Sequence, residues 1–218
     1  MSGLGAWSKG SVSRHSNPDD ERVEAQIQAI KVEMIYRGLG DGVKLGVRAY
    51  GPAIEQRVRE FQVASHLTAT GTVGATTMSY ICWTRCVREM NKLGEQAHHA
   101  LPWKMIMQES AHDPAAQGYF DPRDEGGAQI HMPYHPEITV EQAWTPSFYI
   151  PWLTENLVEM AAALGDYDGA VAAHNVGTRT AELWVEAGKP ANGHVVDGID
   201  WWARATKYVA DVKRHRVP

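Results

Sequence analysis

The sequence predicts a mainly α-helical protein, and three observations carry that prediction. Apolar residues recur at three- and four-residue spacing through most of the 218 residues. Glycine and proline punctuate those runs where helices end and begin. No period-two run is long enough to defend as a sheet. Taken in order, residues 1–20 are rich in Gly and Ser and read as a loose tail. Asp19 or Asp20 caps a first helix with Ile27, Ile30 and Met34 on one face. A glycine-punctuated loop, Gly38 to Gly51, leads to Pro52, which opens a helix bearing Ile54, Val58 and Phe61. Gly71 and Gly74 frame a turn over Ala69 to Thr77, and a helix follows from about Thr76 through Met90, ending near Gly94.

Pro102 opens the next helix, Trp103 to Ser110. The stretch from Ala111 to Thr145 is irregular and rich in Gly, Asp, His and Pro. It exceeds the ~12–15 residues of a plain connector, which marks a functional loop. Pro151 is expected to start a helix through Leu164, followed by short helices at Tyr167 to Asn175 and 179–187. After a loop from Ala187 to Gly198, the last helix runs from Asp200 to Arg214 and groups Trp202, Ala205, Val209 and Val212.

Composition narrows the function. A net charge of −5 disfavours a broadly basic nucleic-acid binder. Cys82 and Cys86, four apart on a helix, are poorly placed for a disulfide and are expected to be buried thiols made in a reducing compartment. No segment approaches the ~20 apolar residues of a membrane span, and no secretion signal is read at the N-terminus. Eight Trp and eight Tyr against three Phe favour amphipathic rings, suited to a sugar surface or to a core with polar neighbours.

Several residues carry candidate chemistry. Glu109 closes an apolar helix at the edge of a polar loop, where partial desolvation would raise its pKa as a general acid requires. Gly126 and Gly127 permit close backbone approach, and Gln129 offers a donor and an acceptor to a hydroxyl or amide. Ala172-Ala-His-Asn-Val-Gly177 is a small-residue helix ending in polar groups. His112, Asp113, His131 and His135 raise the alternative of a zinc hydrolase, but Pro133 and Pro136 interrupt the stretch and no metal motif is complete. Neither a metal nor another cofactor is expected. Arg204, Lys207, Lys213, Arg214 and Arg216 form a basic C-terminal end, either a solvated face or a contact for an anionic polymer.

Two stretches resemble known families. Val58-Arg-Glu-Phe-Gln62, then Leu67-Thr-Ala-Thr-Gly-Thr-Val-Gly-Ala-Thr-Thr77, resembles the peptidoglycan-binding domain found beside many cell-wall hydrolases. Its turn has the form Asp-Gly-x-Val-Gly-x-x-Thr, and Thr70 stands here where that family has Asp. The resemblance covers residues 21–85, and implies wall-binding roles for Phe61, Gln62, Gly71, Gly74 and Thr77. Residues 86–218 resemble the soluble lytic transglycosylases of the lysozyme-like superfamily. Glu109-Ser110 matches the end of their catalytic helix. Gly126-Gly-Ala-Gln-Ile130 matches their Gly-Leu-Met-Gln-Ile signature, and Ala173-His-Asn-Val-Gly177 their Ala-Tyr-Asn-x-Gly signature. The bulky Leu-Met pair is Gly-Ala here, and His174 replaces Tyr.

The resemblance implies an endolysin-like bacteriophage enzyme: a small three-helix binding domain followed by a lysozyme-like catalytic domain. Glu109 would be the catalytic acid, with Ser110, Gln129, Ile130, His174 and Asn175 contacting substrate. The implied reaction cleaves the β-1,4 bond between N-acetylmuramic acid and N-acetylglucosamine, leaving a 1,6-anhydromuramic end. Hydrolysis is the alternative. It needs a second carboxylate, for which Asp113, Asp121, Asp124 and Glu125 are the candidates. A zinc peptidase or amidase, or a wall-binding protein without activity, ranks lower. The expected partner is the peptidoglycan glycan strand, with no nucleic acid, no stable membrane insertion and a monomeric state. Synthesis in the host bacterial cytoplasm, then release to the wall through a separate pore protein, completes the expectation.

Overall fold

The computed structural model describes residues 21–218, with side chains from Val23 onward. The predicted tail, its Trp7 and the cap at Asp19 or Asp20 lie outside the described residues. Among the described residues the fold is all-α, with nine α-helices and two small β-hairpins. The helices are α1 (Glu21–Tyr36), α2 (Pro52–Ala64), α3 (Ala75–Lys92), α4 (Ala100–Ser110), α5 (Val140–Ala143), α6 (Pro146–Leu164), α7 (Tyr167–Val176), α8 (Thr178–Glu186) and α9 (Trp201–Arg214). The hairpins pair β1 (Asp124–Glu125) with β2 (Ile130–His131), and β3 (Val195–Val196) with β4 (Ile199–Asp200), both antiparallel. Strands of two residues are too short to leave an alternating pattern, which is why the sequence gives no sign of them. No helix among the described residues is long and apolar enough to cross a membrane.

The chain divides into two compact units. The first holds residues up to Arg85, Glu109–Ile150 and Pro218; the second holds Cys86–Gln108 and Pro151–Val217. In the first unit α1 packs on α2. Its buried residues include Ile27, Ile30 and Met34 of α1, Ile54, Val58 and Phe61 of α2, and Met78, Ile81 and Cys82 of α3. The predicted apolar faces are therefore the faces that pack. Glu33 is fully buried between Arg85 (3.2 Å) and Arg37 (3.4 Å), and the Arg85 guanidinium lies 3.6 Å over the Tyr36 ring. A buried carboxylate needs such partners to offset its lost hydration.

In the second unit α7 packs against α8 and α9. Ala170, Val171 and Ala172 are buried on α7, Ala181 and Trp184 on α8, and Ala205, Tyr208, Val209 and Val212 on α9. Small residues permit the close approach: a Cβ on Gly169 would meet Val185 Cγ2 at 2.7 Å. Asp200 caps α9 by accepting from the Trp202 and Ala203 amides, and these backbone donors hold its carboxyl below the ordinary range.

Two helices depart from expectation: α5 forms within the stretch expected to be irregular, and α6 starts early. Pro151 does not open α6 but sits inside it, since the helix already begins at Pro146. Proline at 151 has no N–H for the carbonyl four residues back, which is that of Ser147. Arg85 Nη2 donates to that Ser147 carbonyl at 3.4 Å and supplies the missing bond. A proline read locally as a helix start is thus tolerated within the helix because another side chain repairs the break.

Candidate active site

Glu109 and Ser110 are the last two residues of α4; Glu109 is half-buried and Ser110 is fully buried. The chain leaves the helix through Ala111 (φ 53°) and His112 (φ 65°), both left-handed. Such conformations cost non-glycine residues on the order of 1 kcal/mol each and persist only where surroundings impose them. Here the anchor is Asp113, fully buried, whose Oδ1 accepts from Gln26 Nε2 at 2.9 Å and from the Ala115 amide at 3.0 Å.

Ser110 also reaches the second predicted motif. Its Oγ donates to the Gly127 carbonyl at 2.8 Å, tying the end of α4 to the glycine loop. Both glycines are required by close approach. Gly126 has φ 78°, and a Cβ there would run into the Ala143 carbonyl; one on Gly127 would run into the Tyr149 ring. Tyr149 is fully buried, and its hydroxyl lies 3.7 Å from Cys82 Sγ. Burial pushes the Cys82 thiol up to about 12, and both Cys82 and Cys86 are buried and outside any disulfide.

Gln129 is itself left-handed (φ 51°). Its Nε2 donates to the Gly126 carbonyl at 2.9 Å and the Ala116 carbonyl at 3.4 Å, while its Oε1 accepts no hydrogen bond among the described residues. Ile130 is 1% exposed and paired with Glu125, so it backs the loop from inside and has no surface to offer a ligand.

Each of the four candidate second carboxylates has a bonded partner. Asp113 is the buried anchor just described. Asp121 is forked by Arg123 through Nε at 2.8 Å and Nη2 at 2.6 Å, which holds its carboxyl far below the usual range. Asp124 Oδ1 meets His131 Nδ1 at 2.6 Å. Glu125 is buried, accepting from Trp144 Nε1 at 2.9 Å and Gln117 Nε2 at 3.3 Å. Sequence reasoning missed Trp144 and Gln117, because neither lies in a motif and the indole is 19 residues away.

The histidines do not converge. His131 pairs with Asp124, His135 lies 3.4 Å from Glu137, and His112 is fully buried. Among the described residues no three His, Cys, Asp or Glu side chains are grouped as a metal site would need.

His174 and Asn175 belong to the second unit, on the last turn of α7. Asn175 Oδ1 accepts from Arg204 Nε at 2.9 Å, and the Arg204 guanidinium lies 5.4 Å from the Trp201 ring. Gly177 (φ 79°) ends α7 and starts α8. The basic C-terminal end is largely neutralised: Lys207 and Arg214 pair with Asp211, and Lys213 with Asp168 at 2.6 Å.

The residues singled out before α3 form a closed knot. Gln62 is 2% exposed. Its Nε2 donates to Thr72 O (2.9 Å), Thr77 Oγ1 (3.1 Å) and Thr70 Oγ1 (3.3 Å), and its Oε1 accepts from the Gly71 amide (2.9 Å). Thr70 Oγ1 accepts from the Thr72 amide at 3.1 Å, the local bond an Asp side chain would make in such a turn. Phe61 and Thr77 are also buried, and Gly74 O accepts from the Met78 amide at 3.0 Å to start α3. Thr68 and Thr70 form the exposed outer side of the turn.

Three aromatic residues that the sequence did not single out are conspicuously exposed: Tyr119, Phe120 and Tyr134. Their signal was present but weak, namely rings within a Gly-, Pro- and Asp-rich loop and outside any apolar period. No protein-family model matches the chain, and no curated protein matches it.

Proposed function

We propose that the protein is a bacterial cell-wall lytic enzyme that cleaves the β-1,4 bond between N-acetylmuramic acid and N-acetylglucosamine. The Glu109 carboxyl gives its proton to the glycosidic oxygen as the C1–O bond breaks, and positive charge develops at C1 of the muramic ring. The 6-hydroxyl of that sugar then attacks C1. Its proton passes to the Glu109 carboxylate, which restores the acid and leaves a 1,6-anhydro end. Gln129 Oε1 accepts from an amide or hydroxyl of the bound glycan.

The observation that carries this reading is the Ser110–Gly127 hydrogen bond, which joins the Glu109 helix end to the Gly126–Ile130 loop. Two motifs singled out separately in the sequence meet in the fold. Three of the four loop carboxylates are poorly suited to the hydrolytic alternative. A water-activating base needs a carboxylate with spare acceptor capacity and a pKa near the working range. Asp113 and Glu125 are buried and bonded, and Asp121 is held too acidic by Arg123, which leaves Asp124, bonded to His131, as the carboxylate a hydrolytic reaction would use.

On this reading residues 21–85 act as a peptidoglycan-binding module, with the Thr68 and Thr70 side of its turn facing the wall. Residues 86–218 act as the lysozyme-like catalytic part of an endolysin, delivered from the host cytoplasm through a separate pore. Glu109→Gln is expected to lower release of soluble wall fragments by ~10²–10⁴-fold while thermal stability and wall binding persist; full lysis by that variant would refute the reading. Mass spectrometry of the released fragments separates the two chemistries, since anhydro ends are lighter than hydrolysed ends by one water.

A further inference from the structure

The segments flanking the β1–β2 hairpin carry aromatic rings that the proposed chemistry does not use. Phe120 is 87% exposed, Tyr134 80% and Tyr119 74%. Rings left this open gain nothing from the core, and their apolar faces remain hydrated at a cost. They are nevertheless oriented. Tyr119 and Phe120 meet edge to face, with centroids 5.0 Å apart. Tyr134 tilts against His131 at 4.6 Å.

The backbone beneath them is tightly bonded. The Gly118 amide donates to Asp124 O at 2.8 Å, the Asp124 amide to Asp121 O at 3.1 Å, and the Met132 amide to Arg123 O at 3.0 Å. These bonds bring the turn carrying Tyr119 and Phe120 to the end of the hairpin from which Tyr134 departs. Arg123 accordingly lies within electrostatic reach of Tyr134, and Asp121 within that of His131.

Charge identifies the occupant. Arg123 is paired with Asp121, and the neighbouring Asp124 is bonded to His131, so the platform presents no surplus of cations. A nucleic acid or an anionic membrane needs that surplus. A pyranose does not: its C–H face stacks on an aromatic ring, and its hydroxyl and acetamido groups bond to polar groups at the ring's edge.

We propose that Tyr119, Phe120 and Tyr134 form a stacking platform for the N-acetylated amino sugars of a glycan strand, apart from the bond-cleaving residues. The identity of the sugar rests on the cell-wall reading above; the platform itself does not require turnover. The test uses full-length protein carrying Glu109→Gln, so that no substrate is consumed, and measures co-sedimentation with purified peptidoglycan sacculi. Adding Tyr119→Ala, Phe120→Ala and Tyr134→Ala together is expected to weaken binding about 5- to 20-fold. Tyr119→Phe with Tyr134→Phe, which keeps the ring faces, is expected to retain binding within about twofold. Circular dichroism checks that each variant is folded, and titration with chitohexaose gives a second, soluble readout with the same ranking.

Unchanged sacculus and chitohexaose binding in the folded triple-alanine variant would overturn the platform. So would binding to phosphatidylglycerol vesicles that the triple substitution abolishes while sugar binding persists, which would assign the rings to a membrane. Failure of the chemical reading has a different mark: fragment release by Glu109→Gln alone, which leaves the binding measurement standing.

Discussion

Two glutamines bonded to two glycine-bearing loops show how the same residue type does different work. Gln62 beneath the Thr68–Thr77 turn spends both ends of its amide on the protein, with three acceptors and one backbone donor. Gln129 beyond Glu109 spends only its donor end, on Gly126 O and Ala116 O. The first is buried and the second half-buried. A saturated amide is scaffolding, because any ligand must compete with bonds already made. An amide with one end satisfied is fixed in direction yet still able to accept a bond, as a preorganised contact requires.

The glycines of the two loops give the largest expected contrast. A Cβ on Gly71 meets Glu55 Cγ at 2.7 Å and Arg59 Nε at 2.9 Å, both on side chains able to swing away. A Cβ on Gly126 meets the Ala143 carbonyl, which cannot move without moving the backbone. Both glycines have positive φ, so both substitutions carry that strain. Gly126→Ala is expected to cost more than ~4 kcal/mol and Gly71→Ala ~1–2 kcal/mol by thermal or urea unfolding. The reverse order would break the distinction between a loop closed by backbone and one closed by side chains.

The glutamines themselves come next. Gln62→Ala is expected to lose ~2–4 kcal/mol, since it strands the buried Gly71 amide and the Thr72 carbonyl. Gln129→Ala is expected to lose ~1 kcal/mol or less in stability but about tenfold in fragment release. Equal stability losses at the two positions would show that Gln129 is also scaffolding.

Alkali probes the support behind the second loop. Cys82 lies against Tyr149, whose ring backs Gly127. The thiol's folded pKa, about 12, is above its ordinary value of 9.0. The stabilisation is therefore fully present below ~9 and is lost as pH rises toward 12. Unfolding measured across that window should show a falling midpoint that Cys82→Ser flattens. The smallest effect is expected at Thr70→Asp, which keeps an acceptor for the Thr72 amide and should shift stability by no more than ~0.5 kcal/mol. A large loss there would mean the turn depends on the threonine methyl group.

The helices were legible because their cores repeat at the helical period: Ile27, Ile30 and Met34, or Ala205, Val209 and Val212, are buried as their spacing demands. Pro151 was misread because proline's local preference for a helix start carries no word of Arg85, 66 positions earlier. The loop's function-bearing residues were legible as types, but their engagement was not. Asp113 is bonded to Gln26 across 87 residues, and nothing near either announces it. The aromatic surplus was visible, yet sequence alone did not separate buried Trp103, Trp144 and Trp184 from exposed Phe120 and Tyr134. Exposure is a property of the finished packing.

The repair of α6 also has an evolutionary consequence. With Pro151 in place, the Ser147 carbonyl is an acceptor that the helix cannot serve, and Arg85 serves it. A residue bearing an N–H at 151 would close the helical bond itself and relax one of the demands on position 85. The Glu33 carboxylate would still hold the arginine there. Positions 85 and 151 are therefore expected to drift as a partly linked pair among descendants of this chain, with proline persisting only where a donor at 85 is kept.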